Sequence, residues 1–590
     1  MNYFDDEQEW KWLFENGLDW DKLIKLYNPE FPTPDGMNSP QEVKDFLKEI
    51  LTATGEWTGT SVSERAEELD KVGAGTVEDG NTYLSAPLQA TYDEAKELAM
   101  IGLCQDPEFG GMNAPQTIGM FLLAQLSRAC LSTSTQLAFF SSIADMVHRF
   151  CDHETAERII PQIIAGDLSG SMCLTEPGCG SDLGAIQTKA KPVGEKGEGK
   201  KYLLNGSKMF ITNGGGGLGF VLAKCDGLPD NLDGLGLFFV EQKLEGKEGL
   251  NFRVEKNEEK MGLHGSFTTL VVYENTEGVL VGKEGEGFKL MLHLMNEARI
   301  AVGFQALGVM EASLAYARKY AEERIQFGKP IAQLPLLARN MEDYEVERDA
   351  IRALLVDTAS HYDIFQKLDM KKRKTGDLTA EEKSMYDDAV LWTRKRTPLV
   401  KYYACEAATN LSQRGIQILG GYGFIKEYPQ ERYHRDSFGP LLYEGTSQIQ
   451  ALMALKDVVK YAIKDPSKFF TNIIDKHPAS EFLGKGNEWS RQYKSAHYRF
   501  KKKMMGLLIG CLNPGASKLL DFKAWADPEN VNDLMIHAET LTQALSYMET
   551  LRVLCDHANK DESRSELFHK YLKVIQPRLE AIYTDWAIRN

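Results

Sequence analysis

Glu444 lies in the run Leu442-Tyr443-Glu444-Gly445-Thr446-Ser447-Gln448-Ile449-Gln450, a carboxylate among aromatic and aliphatic side chains, followed by a glycine, two hydroxyls and two amides. This setting suits removal of a weakly acidic proton from carbon, because burial disfavours the charged form of a carboxylate and makes it the stronger base. Gly445 lets a ligand come close to the backbone. Composition alone leaves a second reading open, a surface glutamate opening a helix, where the dipole favours acidic residues. Two further stretches carry chemistry. Met172-Cys-Leu-Thr-Glu-Pro-Gly-Cys-Gly-Ser-Asp182 offers the hydroxyls of Thr175 and Ser181 and closely approachable glycine amides. Phe210-Ile-Thr212 presents an aromatic face and a hydroxyl on one side of a strand, so the pair can cradle a flat heteroaromatic cofactor. Residues 213–219 satisfy GxGxxG at Gly214, Gly216 and Gly219. That fingerprint works only when a helix follows, so that its N-terminal amides meet a pyrophosphate. Here Phe220-Val-Leu-Ala-Lys224 reads as a strand, and a glycine-rich hairpin is expected instead.

The elements that must position these residues belong to a long, acidic chain. At 590 residues it exceeds one core, and length alone suggests about three or four domains. The net charge of −17 argues against nucleic acid as a partner, since phosphate binding needs a basic surface. No uninterrupted apolar run approaches the roughly 18 residues of a membrane span. The acidic N-terminus, Met1-Asn-Tyr-Phe-Asp-Asp-Glu, has neither a secretory nor a transit pattern. Nine scattered cysteines without a CxxC pair read as reduced thiols of a cytoplasmic protein, with no metal site.

Period changes divide the chain into an α+β order. Residues 1–170 read as an N-terminal helical domain, with helices at Ser39–Leu51, Thr91–Ile101, Gln116–Ala129 and Glu154–Ile164. Residues 171–285 switch to short β-branched and aromatic runs, predicting a middle antiparallel β-barrel-like domain. Within it, Asn205-Gly206 between Tyr202-Leu-Leu and Lys208-Met-Phe-Ile-Thr predicts a tight hairpin. Gly219–Lys224, Gly236–Glu241 and Thr269–Tyr273 extend the sheet. Residues 286–460 return to helices, a C-terminal bundle. Phe304, Leu307, Met310, Leu314 and Ala317 share one face of a long helix that also contains Arg299 and Arg324, and Leu337–Lys367 and Asp388–Leu411 follow it. Met370–Lys383 reads as a charged connector whose Thr379-x-x-Glu382 is a capping box. Residues 461–590 form an additional C-terminal helical domain. There, Arg491–Gly510 is basic and then apolar: it suits either an anionic membrane surface or, the reading favoured here, a helix packed on the bundle with its lysines in water.

Five motifs occur in order: Thr175-Glu-Pro-Gly-Cys-Gly-Ser-Asp182, Lys208-Met-Phe-Ile-Thr-Asn-Gly214, Arg324-Ile-Gln-Phe-Gly-Lys329, Gln417-Ile-Leu-Gly-Gly-Tyr-Gly423 and Tyr443-Glu-Gly-Thr-Ser-Gln-Ile-Gln450. With this order and spacing, roughly residues 80–460 resemble the FAD-dependent acyl-CoA dehydrogenases, whose helix–sheet–helix fold matches the order above. The extra segment makes the chain similar to the long members, among them the very-long-chain dehydrogenases, several bacterial medium- and long-chain enzymes and the 3-methylthiopropanoyl-CoA dehydrogenases. The resemblance implies that Glu444 is the catalytic base. Met172, Thr175 and Ser181, with the rest of their loop, would hold the flavin's pyrimidine end. Phe210 would pack on the isoalloxazine and Thr212 would meet N5. Arg324, Phe327, Gln417 and Gly421 would reach the FAD of a neighbouring subunit, and Thr446 and Gln448 would contact FAD just after the base. Ser181, Asn296, Arg299, Tyr443 and Gly445 would bind acyl-CoA.

Four positions depart from the family pattern: Cys179 in the signature loop, Phe210 where many members have Trp, Asn296 where Asp is usual, and Pro335 where many carry a Gln. Some members place the base immediately before the arginine of that helix. Here that position is Ala298, so the nearby Glu297 is a weak rival to Glu444. The implied reaction turns an acyl-CoA into its trans-2-enoyl-CoA in fatty acid β-oxidation. Electron-transferring flavoprotein takes the electrons, and the enzyme is a homo-oligomer, a dimer being favoured. Alternatives within the resemblance are an acyl-CoA oxidase using oxygen, a 3-methylthiopropanoyl-CoA dehydrogenase and a non-catalytic DNA-associated flavoprotein. Thr133–Met146, including Phe139 and Phe140, is expected to shape the floor of the acyl pocket.

Overall fold

A computed structural model describes residues 1–464, 486–511 and 528–589; the remaining parts of the expected 461–590 domain lie outside the described residues. The chain clusters into two compact units. Met1–Glu7, Trp20–Ala301 and Gln366–Leu378 form the first, and Gln8–Asp19, Val302–Phe365 and Thr379–Asn590 the second. Helix α1 (Gln8–Trp12) therefore belongs to the second unit, although the sequence reading assigned it to the N-terminal domain.

The first unit begins with α2 (Trp20–Tyr27), α3 (Pro40–Trp57), α4 (Ser63–Val72), α5 (Ala86–Glu97), α6 (Gln116–Ala129), α7 (Leu131–Phe150) and α8 (His153–Ile164). Ser39 starts α3 by accepting the Glu42 amide at 3.2 Å, with Pro40 in the first turn where its missing N–H costs nothing. Asp152 does the same for α8 through the Thr155 amide at 2.7 Å. Helix α6 is buried on every face, a core helix. The helical reading of residues 1–170 missed one hairpin, β1 (Gly75–Glu78) with β2 (Asn81–Leu84). Its turn, Asp79-Gly80, has φ of 48° and 78°, the conformation that Asp-Gly favours.

The sheet comprises β3 (Ser169–Cys173), β4 (Lys189–Pro192), β5 (Lys201–Thr212), β6 (Gly217–Cys225), β7 (Leu235–Glu241), β8 (Arg253–Asn257) and β9 (Thr268–Val281). Strand β6 pairs with β4, β4 with β5, β5 with β9, β9 with β7 and β7 with β6, which closes a ring; β3 adds to β6 and β8 to β9. Tyr202, Leu204, Val221, Phe238, Val271 and Leu280 fill its core. The barrel is mixed, not antiparallel throughout, because β3–β6 and β4–β6 run parallel. The cause is the turn after β5. Asn213, at φ 57°, accepts the Gly216 amide and sends β6 to the far side of β4, so that two reversals leave β6 parallel to β4. Residues 213–216 thus make a turn between strands that do not pair with each other, and 217–219 already belong to β6. No hairpin forms there, and no helix follows to bind a pyrophosphate.

The predicted Asn205-Gly206 hairpin is also absent. Strand β5 runs straight through this dipeptide with a register shift between Leu204 and Gly206. Gly206 sits at φ 152°, and a Cβ there would lie 2.4 Å from Thr188 Oγ1 and 2.8 Å from Thr188 Cα. The glycine marks a bulge where backbone approaches backbone, not a reversal. Gly206→Ala is expected to destabilise the protein by about 1–3 kcal/mol through this clash, read as a lower urea midpoint at unchanged slope.

Helix α9 (Gly287–Glu323) contributes to both units. In the second unit it buries Phe304, Leu307, Met310, Leu314 and Ala317, as the spacing predicts, whereas Arg324 lies just past its end. A short hairpin of β10 (Ile325–Gln326) and β11 (Lys329–Pro330) leads to α10 (Pro335–Thr375), then α11 (Ala380–Leu419), α12 (Gln430–Leu442) and α13 (Ser447–Lys464). Helix α10 continues through the first residues of the expected connector, and the Thr379–Glu382 capping box opens α11 as read.

The extra segment adds α14 (Glu488–Cys511), α15 (Pro528–Ile536), α16 (Ala538–Lys560) and α17 (Ser565–Arg589). Tyr493, Phe500, Met504, Leu507 and Leu508 of α14 are buried as it packs on α16 and α17, while Arg499, Lys502 and Lys503 are exposed. These described apolar side chains are packed inside the protein, which fits the packed-helix reading. Buried ion pairs join the segment to the bundle, Arg396 to Glu549 at 2.7 Å and Arg552 to Asp357 at 2.8 Å. Residues 8–19 join it too. Trp12 Nε1 donates to Asp561 at 2.8 Å, Trp10 Nε1 to Glu311 at 3.1 Å, and Glu9 pairs with Arg564.

Candidate active site

The predicted site residues fall into groups that each unit assembles separately. In the first unit, the loop after β3 folds back onto β5. Thr175 carbonyl accepts the Met209 amide at 2.8 Å, and a tight turn pairs Glu176 with Cys179 across Pro177-Gly178. Underneath lies a buried ion pair that the sequence reading did not single out. Lys208 Nζ, fully buried, donates to Glu176 Oε1 at 2.8 Å and to the Leu174 carbonyl at 2.9 Å. Glu176 also accepts the amides of Gln187 at 2.6 Å and Thr188 at 3.0 Å. Burial opposes the charge of Glu176, but Lys208 and these hydrogen bonds outweigh it and hold the carboxyl below its usual range. Both residues stand inside the quoted motifs, yet only the fold shows that they meet.

Phe210 sits at a second bulge of β5, between Lys208 and Ile211, with φ of 61° and 56% exposure. Bulky side chains rarely adopt this left-handed conformation. The bulge turns the ring out of the sheet, beside Thr212 on the same strand, and leaves an aromatic face presented next to the Thr175 loop. Met172 is buried in β3 and Ser181 is exposed. This aromatic, hydroxyl and glycine-amide set fits the flat ring of a flavin.

Helices α3, α5, α6, α7 and the start of α9 enclose an apolar cavity of about 750 Å³, open solvent included, lined by Trp57, Met120, Leu123, Leu126, Leu137 and Glu297 among others. Phe139 and Phe140 do not line it. Phe140 is buried against Tyr92, ring centroids 5.4 Å apart, and the α7 residues facing the cavity are instead those at 137, 138, 141 and 142. Arg299 is buried and donates to Asn296 Oδ1 at 3.2 Å.

In the second unit, Arg324 and Gln326 line a cleft of about 830 Å³, open solvent included, with Gln417, Gly421 and Tyr422. The Arg324 guanidinium lies 5.8 Å from the Tyr422 ring centre. Phe327 and Gly328 turn the β10–β11 hairpin at φ 51° and 76°, and Phe327 is 89% exposed. The hairpin thus carries a bulky residue in the left-handed region at a solvent-exposed tip.

Glu444 occupies the turn between α12 and α13, half-buried, with φ of 57°, and Gly445 follows at 95°. Tyr443 Oη donates to Gln305 at 2.9 Å. The fully buried Lys401 of α11 donates to the carbonyls of Gly445 at 2.7 Å and Leu441 at 3.3 Å. Gln450, also fully buried, donates to the carbonyls of Glu444 at 3.0 Å and Gly445 at 3.2 Å. Gln448, two residues earlier, is exposed. Lys401 lies in none of the five motifs, and the spacing that finds Glu444 gives no sign of it.

With this geometry in hand, comparison with known proteins gives one answer. The family models for the acyl-CoA dehydrogenase N-terminal, middle and C-terminal domains match residues 48–167, 171–276 and 285–459. The chain is similar to an acyl-CoA dehydrogenase of Bacillus subtilis, 33% identical over 60% of this chain and 86% of that protein. It is similar to the 3-methylmercaptopropionyl-CoA dehydrogenase of Ruegeria pomeroyi, 29% identical over 72% of each. Its fold matches an acyl-CoA dehydrogenase complexed with FAD from Bacillus anthracis, TM-score 0.75, 21% identity, over 92% of this chain and 88% of that one. The chain belongs to the acyl-CoA dehydrogenase family, FAD-dependent oxidoreductases acting on CH–CH bonds.

Proposed function

We propose that the protein oxidises an acyl-CoA to its trans-2-enoyl-CoA, with Glu444 as the base, and passes the electrons to an electron-transferring flavoprotein. The observation that carries this reading is the Glu444 turn. A glutamate in the left-handed region costs about 1–3 kcal/mol and persists only where its surroundings over-determine it. A half-buried carboxylate held at such cost, next to a glycine that opens the main chain, is a candidate for chemistry.

In this reading the apolar cavity of the first unit is the part that takes an acyl chain, and Gly445 of the second unit is the part that lets a thioester approach the main chain. In the first unit Phe210, Thr212, Thr175 and Met172 would hold a flavin ring; in the second, Thr446 and Gln448 are the FAD contacts that the family resemblance implies. FAD, when bound, supplies the acceptor for the β-hydrogen as hydride. Glu444 takes the α-proton, and its backbone N–H helps hold the thioester oxygen, where a preorganised donor contributes about 2.7–4 kcal/mol. Arg324, Phe327, Gln417 and Gly421 face a second copy of the chain, so the working enzyme is a homodimer. The strained, exposed Phe327 supports this.

The test is a panel of C4 to C18 acyl-CoAs plus 3-methylthiopropanoyl-CoA, each mixed anaerobically with the FAD-loaded enzyme. Bleaching by at least one member, fastest for an apolar chain, is expected. The 3-methylthiopropanoyl thioester is included because the Ruegeria relative bears that activity in its name. Slow reoxidation in air and fast reoxidation by electron-transferring flavoprotein separate a dehydrogenase from an oxidase. No bleaching by any member would favour a non-catalytic flavoprotein.

A further inference from the structure

We propose that Lys401, assisted by Gln450, is the positioning residue that holds Glu444 in its left-handed conformation and so fixes the direction of its carboxylate. The inference rests on Glu444 being the base. The two donors reach the turn from different helices, α11 and α13, and neither side chain is exposed to solvent. They converge on consecutive carbonyls. Gln450 takes those of Glu444 and Gly445, and Lys401 takes those of Gly445 and Leu441. A carbonyl held in place fixes the ψ of its own residue, so the peptide planes on the C-terminal side of Glu444 cannot rotate to relieve its strain.

The residue types follow from the task. One ammonium offers three donors from a single point, which lets it bridge the carbonyls of Leu441 and Gly445. The Leu441 carbonyl ends α12, where the helix dipole favours a cation. Gly445 makes room for the second donor: a Cβ there would stand 2.8 Å from Gln450 Nε2. The Tyr443 hydroxyl, bonded to Gln305, holds the residue before the base. The turn is thus pinned from three helices.

The experiment compares Lys401→Met, Lys401→Arg, Gln450→Leu, Glu444→Gln and the double variant Lys401→Met/Glu444→Gln as full-length, FAD-loaded enzymes. Lys401→Met keeps the side-chain length but removes every donor. Misplacing a reacting group by about 1 Å can cost roughly a hundredfold, and a loss of that order is expected in the bleaching rate at saturating acyl-CoA. Exchange of the substrate α-proton with heavy water should slow by the same factor, while KM and bound FAD per chain stay near wild type. Lys401→Arg, which restores a cation and donors, should recover part of the rate. Gln450→Leu removes a neutral donor and should cost about tenfold. In the Glu444→Gln background, Lys401→Met should cause no further loss.

A merely structural lysine would instead lower thermal stability and FAD content with α-proton exchange intact, and that result overturns the proposal. So does a wild-type exchange rate in Lys401→Met or Gln450→Leu. If Lys401→Met fails to retain FAD, Gln450→Leu decides by the same exchange rate. Normal bleaching in Glu444→Gln overturns the base assignment itself, whatever the Lys401 variants do.

Discussion

Glu444→Gln is expected to bind FAD like the wild type and to be bleached by acyl-CoA up to about 10⁴-fold more slowly, the upper range of what a positioned base contributes. The substitution is nearly isosteric. It removes a proton acceptor and leaves the main-chain contacts of the turn in place, because the bonds from Lys401 and Gln450 to the carbonyls of Glu444 and Gly445 do not depend on the side chain at 444. The loss should therefore fall on the chemical step, with acyl-CoA affinity largely kept. Anaerobic stopped-flow absorbance of the oxidised flavin, with substrate saturating, measures it. A rate equal to that of the wild type would move the base elsewhere, and Glu297, which lines the apolar cavity, would be the next carboxylate to test.

The second large effect is expected at Lys208. Lys208→Met leaves Glu176 buried without its cation, and breaking one side of a buried pair typically costs about 3–5 kcal/mol. Glu176→Gln should cost less, since a neutral amide still hydrogen-bonds Lys208, although the lysine then keeps a buried charge. The double change Lys208→Met/Glu176→Gln should be milder than Lys208→Met alone, because no uncompensated charge remains. The pair anchors the Thr175 loop to the strand that carries Phe210, so FAD should dissociate more readily from Lys208→Met than from the wild type. Denaturant unfolding and the FAD retained after desalting report the two effects. The pH dependence has a definite sign. A carboxyl held below its ordinary range contributes stability at neutral pH and loses it as pH falls through its folded-state value, on the acid side of an ordinary glutamate. That acid-side loss should be absent from Glu176→Gln.

Much of the fold is legible in the sequence because periodicity and caps are local signals. The 3.6-residue pattern finds α6 to the residue, and Thr379 with Glu382 marks the start of α11. What the sequence hides is pairing. Asn205-Gly206 has the composition of a tight turn, and only the proximity of Thr188 shows that the glycine serves a bulge. Residues 213–219 look like a phosphate loop or a hairpin, and only the placement of β6 beyond β4 shows that they are neither. The candidate site behaves in the same way. Glu444, Phe210 and Arg324 are legible because they sit in motifs of recognisable composition. Lys208, Lys401 and Gln450 escape notice because each acts on a main chain that is distant in sequence or carries no side-chain signature. Helix α1 escapes for the same reason: its tryptophans find partners about 300 and 550 residues away.

The most direct test of the account is an anaerobic titration of the FAD-loaded wild-type enzyme with an acyl-CoA that fits the apolar cavity, followed by flavin absorbance and by mass analysis of the thioester. The account predicts stoichiometric loss of the oxidised flavin band together with a trans-2-enoyl-CoA lighter than the substrate by two hydrogens. An oxidised band that persists with every chain length, and a thioester recovered unchanged, would contradict it.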